Sequence, residues 1–574
     1  MVNTTDSNLS KPQSEIKQAL LLCKSAFISV GIFSLFINLL LLIPSIYMLQ
    51  VYDRVMASSS ESTLLMLTLI TLFLLMVMGG LEWTRSQIMN VTGNKLDNLL
   101  NSRIYNALFS QSLTSGKGMT AQPLTDLQMV RQFLTGPGLF AFFDAPWLPI
   151  FIVLLFLFHP YFGLTAIISA LILTGFAVWN EYATKDDLEN ASKESIAAQQ
   201  MTQANLRNAE VIDAMGMLPQ VRERWRQRQN QHLDLQLRAN AKGGLITALS
   251  KFYRLSIQSL ILGLGAYLSI HREITPGLVV AGSILMGRAL APIDQIIAQW
   301  RSVLMARDAY HRLDKLLFNL PNNEEPMLLP PLVGEIRVEN CVIIPPGLSV
   351  PVIKGINFAI PAGSHLAIVG PSAAGKSTLI RALLGIYAPS EGAVRFDGAE
   401  VRQWNKSQLG NAIGYLPQDV ELLDGSIGEN IARFGIVDPE KVVAAAKHAG
   451  IHDMILHLPE AYNTRIEGSG YSLSAGQRQR LGLARALYGE PKVFLLDEPN
   501  SNLDQEGEMA LQRTLQYLKQ TGRTVIIITH RSNILAQMDY ILILANGEIM
   551  HFGFKEDVLA ALQQQPQKPV EQKA

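Results

Sequence analysis

Residues 370–378 combine small residues, a lysine and three hydroxyls in a spacing that binds nucleotide phosphates. An apolar run at 366–369 predicts a buried strand before them, and 377–384 opens a helix. Glycines let backbone N–H groups curl around phosphate oxygens, the lysine reaches the β- and γ-phosphates, and the hydroxyl directly after the lysine, Ser377, ligates Mg²⁺. The helix N-terminus adds its own positive end. The sequence therefore predicts an ATP site, the P-loop, built from Gly370, Pro371, Ser372, Ala373, Ala374, Gly375, Lys376, Ser377 and Thr378.

A pair of carboxylates follows a second apolar run, at 493–496, whose pattern is that of a buried parallel strand. Asp497 lies where a carboxylate would hold the Mg²⁺ water shell, and Glu498 lies where a base would polarise the attacking water. The alternative is a surface carboxylate pair at a strand end. The P-loop upstream favours the catalytic interpretation.

Four further motifs resemble those of ATP-binding cassette (ABC) proteins. The run Leu473-Ser474-Ala475-Gly476-Gln477-Arg478-Gln479-Arg480 is similar to the family's signature sequence. Gln418 matches the Q-loop, 501–504 the D-loop and His530 the switch histidine. All occur in family order across 332–560, and the chain is identified as a member of that family. Two departures are Ala475, where many cassettes have glycine, and the aliphatic run 342–346, where many have an adenine-stacking aromatic residue.

The resemblance implies a homodimer in which two cassettes enclose two ATP molecules head to tail. The signature residues of one subunit would contact the γ-phosphate held by the P-loop of the other. His530 would bridge that phosphate and Glu498, and Asp504 would act across the interface. Gln418 would join Ser377 and Asp497 at Mg²⁺. The expected ATP-binding residues beyond the P-loop are thus Gln418, Ser474, Gly476, Gln477 and Asp504.

The elements before the cassette are strongly apolar. Charged residues make up 17% of the chain and apolar residues 48%, whereas a soluble domain carries roughly 25% charged residues. Because a bilayer core needs about 20 apolar residues per helix, we predict six spans. Lys and Arg concentrate in the leader and after spans two and four, which predicts cytoplasmic termini. The spans are 26–48, 63–81, 147–158 (with Phe140, Phe142 and Phe143 extending it upstream), 161–179, 253–270 and 276–290.

The predicted fold class is an α-helical membrane domain of six transmembrane helices fused to an α/β P-loop nucleotide-binding domain. The predicted parts are a leader (1–25), a membrane domain with cytoplasmic helical extensions (26–318), a linker (319–332), a cassette (333–562) and a disordered tail (563–574). Asp144 is expected to cap span three. Arg254 and Arg288 either face a substrate path or snorkel to the interface. Zero net charge gives no indication of nucleic acid, and two distant cysteines exclude a disulfide scaffold.

Membrane part first and cassette second resembles the exporter arrangement. The stretches 142–149, 415–422 and 428–433, with Asn500 and Asn502, resemble type I protein-secretion exporters of the PrtD type, the protease, lipase and haemophore branch. The leader is shorter than the peptidase-like domain of other secretion exporters. The resemblance implies ATP-driven export of an unfolded polypeptide with a C-terminal signal. It also implies an inner-membrane location, a periplasmic membrane fusion protein and an outer-membrane channel.

The sequence leaves three alternative functions open. The first is a half-transporter that exports lipid or small molecules with the same cassette chemistry. The second is a cassette protein that regulates a partner, which the predicted spans disfavour. The third is a cassette that does not hydrolyse ATP, which the presence of Lys376, Asp497, Glu498 and His530 disfavours.

Overall fold

The computed structural model describes residues 14–115, 121–320, 326–466 and 473–563. It divides into two compact units, a helical one (1–111 and 118–321) and an α/β one (322–574), with which the short segment 112–117 is grouped. The predicted fold class, a helical membrane domain followed by an α/β domain, is confirmed. The predicted leader contains a short helix, and the predicted tail lies outside the described residues apart from residue 563.

The helical unit begins with short helices and continues with long ones. Prolines stand in the first turn of most of the later helices, where the missing N–H costs nothing. A π-helical turn (Val51–Val55) and a 3₁₀ turn (Ala145–Trp147) interrupt the series. The helices are α1 (Glu15–Leu22), α2 (Lys24–Leu40), α3 (Ile43–Gln50), α4 (Met56–Ser58), α5 (Glu61–Ser115), α6 (Gln122–Thr135), α7 (Pro137–Asp144), α8 (Leu148–Phe158), α9 (Pro160–Arg207), α10 (Ala209–Ala214), α11 (Leu218–Ile270) and α12 (Pro276–Asn319).

Among the described residues, five helical stretches are long and apolar enough to cross a membrane. They are Lys24–Ser58, Glu61–Leu113, Pro137–Phe158, Pro160–Arg207 and Pro276–Asn319. Five of the six predicted spans lie within these stretches, and the count of six stays a prediction. The remaining predicted span, 253–270, is helical as the end of α11. Its hydropathy is lowered by Arg254 and by interspersed Ser, Gln and Tyr residues.

The core of the helical unit lies among α8, α9, α11 and α12, with Phe151 and Phe162 fully enclosed. Close approach requires a bare backbone at Gly282, since a Cβ there would come within 2.6 Å of the Phe162 ring. Large apolar side chains of α5, such as Phe73 and Met76, are exposed instead. Apolar residues outside and small residues at helix contacts are the pattern of a bundle surrounded by lipid.

Polar side chains in the bundle are paired with one another. Asp144 does not cap a helix, contrary to the prediction; its carboxylate accepts from Arg85 Nη1 at 3.1 Å and from Asn38 Nδ2 at 2.9 Å. A buried charge is stabilised by a nearby opposite charge. Arg85 supplies that charge to Asp144, whereas the backbone N–H groups at a helix start are uncharged. Arg254 Nε lies 3.0 Å from Asp294 Oδ2, so it is paired within the bundle, whereas Arg288 is exposed.

Within its described residues, the α/β unit contains three sheets. A four-stranded sheet has the order β2-β1-β4-β5, a six-stranded sheet the order β12-β11-β3-β10-β9-β6, and β7 pairs with β8. The strands are β1 (Ile336–Ile343), β2 (Ile353–Ile360), β3 (His365–Val369), β4 (Glu391–Phe396), β5 (Ala399–Glu400), β6 (Ile413–Leu416), β7 (Gly425–Ser426), β8 (Arg465–Ile466), β9 (Val493–Asp497), β10 (Thr524–Ile528), β11 (Tyr540–Ala545) and β12 (Glu548–Phe554). The helices are α13 (Lys376–Leu383), α14 (Lys406–Ala412), α15 (Ile427–Ile431), α16 (Pro439–His448), α17 (His452–Leu456), α18 (Ala475–Leu487), α19 (Gln505–Gln520), α20 (Ser532–Leu535) and α21 (Lys555–Gln563).

The six-stranded sheet positions the candidate site. Its strands β11, β3, β10, β9 and β6 are parallel neighbours, and every residue of β9 and β10 is buried. Two apolar clusters cover its opposite faces. Because the carboxyl ends of parallel strands meet at one edge, the loops after β3, β6, β9 and β10 come together there.

Candidate nucleotide-binding site

The P-loop connects β3 to α13 in the strand–loop–helix arrangement that the sequence predicts. Gly375 precedes the helix with φ 100°, a left-handed conformation open to glycine. A Cβ at Gly370 would lie 2.0 Å from the Leu544 carbonyl oxygen, so the strand β11 excludes any side chain there. Of the remaining predicted loop residues, Pro371, Ser372 and Ala373 are exposed, Ala374 is buried, and Ser377 and Thr378 are half-buried.

Lys376 turns back into its own loop. The side chain is only 8% exposed, and Nζ donates to the carbonyl oxygens of Gly370 at 2.7 Å and Pro371 at 2.9 Å. A buried ammonium group needs such partners. The cationic head is thus held at the centre of the phosphate-binding loop.

Asp497 ends β9 and is 5% exposed. Burial raises the pKa of this carboxyl, while a hydrogen bond from Ser377 acts in the opposite direction. Its Oδ1 is buried and, among the described residues, has no hydrogen-bond partner. An unpaired buried carboxylate oxygen beside a hydroxyl fits an oxygen-preferring divalent cation. Ser377 and Asp497 are therefore suited to hold Mg²⁺.

Glu498 has a left-handed backbone, with φ 47°. Its N–H donates to Ile528 O at 3.1 Å, which joins it to β10. Gln418, which follows β6, donates from Nε2 to Glu498 Oε2 at 3.1 Å. The structure thus brings together two of the predicted site residues from neighbouring strand ends.

His530 follows β10 and is exposed. In the described part of the chain its ring makes neither a hydrogen bond nor an ion pair with Glu498. The preceding Thr529 forms a 3.3 Å hydrogen bond with Asn500 Oδ1, which ties the switch segment to the loop after Glu498. The predicted bridge from His530 to the γ-phosphate stays a prediction.

The signature residues form the start of α18. Ser474 caps the helix, with Oγ accepting from Gln477 N at 3.2 Å, and Gln477 Oε1 accepts from Ser474 N at 2.9 Å. This reciprocal capping box engages the Gln477 side chain. A Cβ at Gly476 would lie 2.7 Å from Asn502 O, so the helix start and the D-loop approach closely. Asp504 caps α19 by accepting from Gly507 N at 2.8 Å.

Gln479 lies within the signature run, but no role in the site was predicted for it from the sequence. It is 1% exposed, and its Nε2 donates to the Glu498 carbonyl oxygen at 3.1 Å. The signal available was a glutamine at a position where the amphipathic pattern of α18 requires a buried residue. In the region predicted to support adenine, Val342 is half-buried and Ile344 is 39% exposed. The aliphatic adenine surface stays a prediction.

Comparisons with known proteins agree with this geometry. A family model described as ABC transporter matches residues 353–501, and one described as ABC transporter transmembrane region matches residues 27–291. The type I secretion system ATP-binding protein PrsD of Rhizobium meliloti (strain 1021) is 44% identical over 541 residues, covering 94% of this chain and 93% of the relative. The alpha-hemolysin translocation ATP-binding protein HlyB of Proteus vulgaris is 30% identical over 562 residues, covering 94% and 77%.

A solved structure of a bacterial Atm1-family ABC exporter with ATP bound matches with a TM-score of 0.78 and covers 95% of this chain and 99% of that one. Its sequence identity is 22%, so this likeness shows the fold alone.

Proposed function

The chain belongs to the type I secretion exporters of the ABC transporter family, and on that premise we propose that it drives an unfolded polypeptide out of the cell. It binds and hydrolyses ATP. The observation that carries the proposal is the 44% identity to a type I secretion ATP-binding protein along nearly the full length of both chains. The substrate would carry a C-terminal signal, as the resemblance to the PrtD type implies.

The ATP site then has these roles. Lys376 would exchange the carbonyl oxygens of Gly370 and Pro371 for the β- and γ-phosphates, which are stronger acceptors. Ser377, Gln418 and Asp497 would hold Mg²⁺, which when bound neutralises phosphate charge. Glu498 would accept a proton from the water that attacks the γ-phosphate. Gln418 donates to that carboxylate here and would turn from it when nucleotide binds.

A second copy of the chain would complete each site. Ser474 and the first turn of α18 are exposed or half-buried, and a helix N-terminus with a capping hydroxyl binds anions well. We expect this end to contact the γ-phosphate held by the partner subunit, with Asp504 and His530 at the same interface. The homodimer would lie in the inner membrane with cytoplasmic termini and act with a periplasmic membrane fusion protein and an outer-membrane channel.

The test uses Glu498→Gln, which should retain ATP and hydrolyse it only at a small residual rate. Full-length protein is purified from cells that express a candidate substrate, either intact or without its C-terminal segment. The intact polypeptide should co-purify with Glu498→Gln in the presence of ATP, and the truncated one should not. Glu548→Gln, an exposed carboxylate of β12, is the control and should hydrolyse ATP normally. Stimulation of hydrolysis by lipid and not by the polypeptide would overturn the substrate assignment in favour of a lipid exporter.

A further inference from the structure

Gln479 is a buried polar residue on the helix that begins with the signature sequence. Its amide lies within hydrogen-bond distance of two groups of one turn, the Glu498 carbonyl oxygen at 3.1 Å and Ser501 Oγ at 3.4 Å. A buried amide requires such partners, but a partner anywhere in the core would satisfy it. What matters is that both partners belong to the segment that carries the proposed base.

The backbone of Glu498 needs external support. A left-handed φ of 47° is unfavourable for a residue with a side chain and persists where surrounding contacts fix it. The N–H is fixed by Ile528 O, a group of the sheet. The carbonyl oxygen accepts from Ser501 N at 3.2 Å within the turn and from Gln479 Nε2. Of these three hydrogen bonds to the Glu498 backbone, the one from Gln479 connects Glu498 to the helix α18.

The same helix contacts the same turn at a second point. At the start of α18, the Gly476 backbone approaches Asn502 so closely that a Cβ would lie 2.7 Å from the Asn502 carbonyl oxygen. Gly476 and Gln479 are three residues apart and therefore share one face of the helix. A displacement of α18 thus reaches the 498–502 segment from two positions on the helix, and the contacts to Glu498 and Ser501 depend on the Gln479 side chain.

We propose that Gln479 is a positioning residue that links the signature helix to the base, so that Glu498 reaches its working position when Ser474 on the same helix engages phosphate. Ser474 would act on the site of the partner subunit, and Glu498 acts on the site of its own P-loop. The link would therefore let each composite site sense the other. This inference rests on the proposed role of Glu498.

The test variant is Gln479→Met, which keeps the length of the side chain and removes the amide. We expect kcat for ATP hydrolysis to fall about 10- to 100-fold, because a small misplacement of a catalytic group has effects of that size. The KM for ATP and the binding of a fluorescent nucleotide should be unchanged, since the P-loop is untouched. The cooperativity of hydrolysis should fall as well. Gln516→Met, at an exposed position of α19, is the matched control and should behave as wild type.

A double-mutant comparison separates positioning from general support. If Gln479 acts through Glu498, adding Gln479→Met to Glu498→Gln should leave residual hydrolysis unchanged. A further fall in the double variant would overturn the proposal, as would wild-type kcat in a folded Gln479→Met protein. Gln479→Asn keeps the amide on a shorter stem and should give an intermediate kcat, which covers the case in which Gln479→Met fails to fold. Wild-type hydrolysis by Glu498→Gln alone would instead refute the assignment of the base.

Discussion

Replacing His365 with leucine should remove one contribution to the acid-dependent loss of stability of the α/β unit. His365 begins β3, the strand that leads into the P-loop, and is 0% exposed. Burial lowers the pKa of its imidazole from 6.5 to about 4, against the opposing effect of the Asp539 carboxylate. Between these two pKa values the unfolded chain binds the proton and the folded chain does not. The contribution of this residue to stability is therefore complete above the unfolded pKa and is lost as the pH falls through that window.

The magnitude follows from the two pKa values. Going from pH 7.5 to pH 5, the linkage relation gives a loss of about 2 kcal/mol in the free energy of unfolding from this one group. For a unit of this size, that corresponds to a fall in Tm of roughly 4–8 °C. Leucine has a similar volume and no proton to gain, so His365→Leu should lack this part of the pH dependence whatever its stability at neutral pH.

The assay is thermal unfolding of the full-length protein in detergent at both pH values, followed by tryptophan fluorescence. The quantity compared is the difference in Tm between the two pH values, for the transition assigned to the α/β unit by its shift with added ATP. The control is His457→Leu, which removes an exposed histidine of the same unit and should retain the wild-type difference. Equal pH dependence in wild type and His365→Leu would refute the reasoning, because the buried imidazole would then not titrate as its environment requires.

Three other substitutions test the site and the helical unit. Lys376→Ala should reduce nucleotide binding at least tenfold, measured with a fluorescent nucleotide, because about 1.4 kcal/mol of lost charge-assisted contact gives that factor. Asp144→Asn leaves the buried Arg85 guanidinium without its charged partner and should cost about 3 kcal/mol, seen as a lower temperature of aggregation in detergent; an unchanged temperature would contradict the pairing. Gly476→Ala must push the D-loop away from α18 and should lower kcat while nucleotide binding is retained; unchanged kcat would show that the close approach does not matter.

The phosphate-binding part of the site was predictable because its determinants are local. The loop at 370–378, the strand before it and the helix after it occur in one short segment, and the backbone conformation at Gly375 follows from residue type. The carboxylates at 497 and 498 were equally predictable from the sequence, since a fully buried strand appears as a continuous apolar run that ends where they begin. The proximity of Gln418 and Glu498 required the order of the strands, in which β6 and β9 are neighbours.

The wrong prediction for Asp144 and the unassigned role of Gln479 have the same physical origin, because the partners of both side chains are distant in sequence. Asp144 has the composition and position of a helix cap, but Arg85 is a stronger partner and lies 59 residues away. Arg254 shows the same limit, because only the structure reveals that its partner is Asp294 on the next helix. Hydrophobic periodicity indicates which residues are buried, but it does not indicate which polar groups pair with one another.

Gln479 shows why such residues matter for function. The motifs that identify the site consist of residues expected to contact nucleotide, and each motif lies at a strand end or a helix start. The conformation of Glu498 depends in addition on Ile528 and Gln479, which belong to two different elements and never contact the nucleotide-binding loop in the described contacts. A catalytic carboxylate that must be active in one state and inactive in another needs contacts that change between states. In the proposed dimer, a side chain extending from the helix that would contact the partner subunit meets that requirement, whereas the contact to β10, in the centre of the sheet, does not.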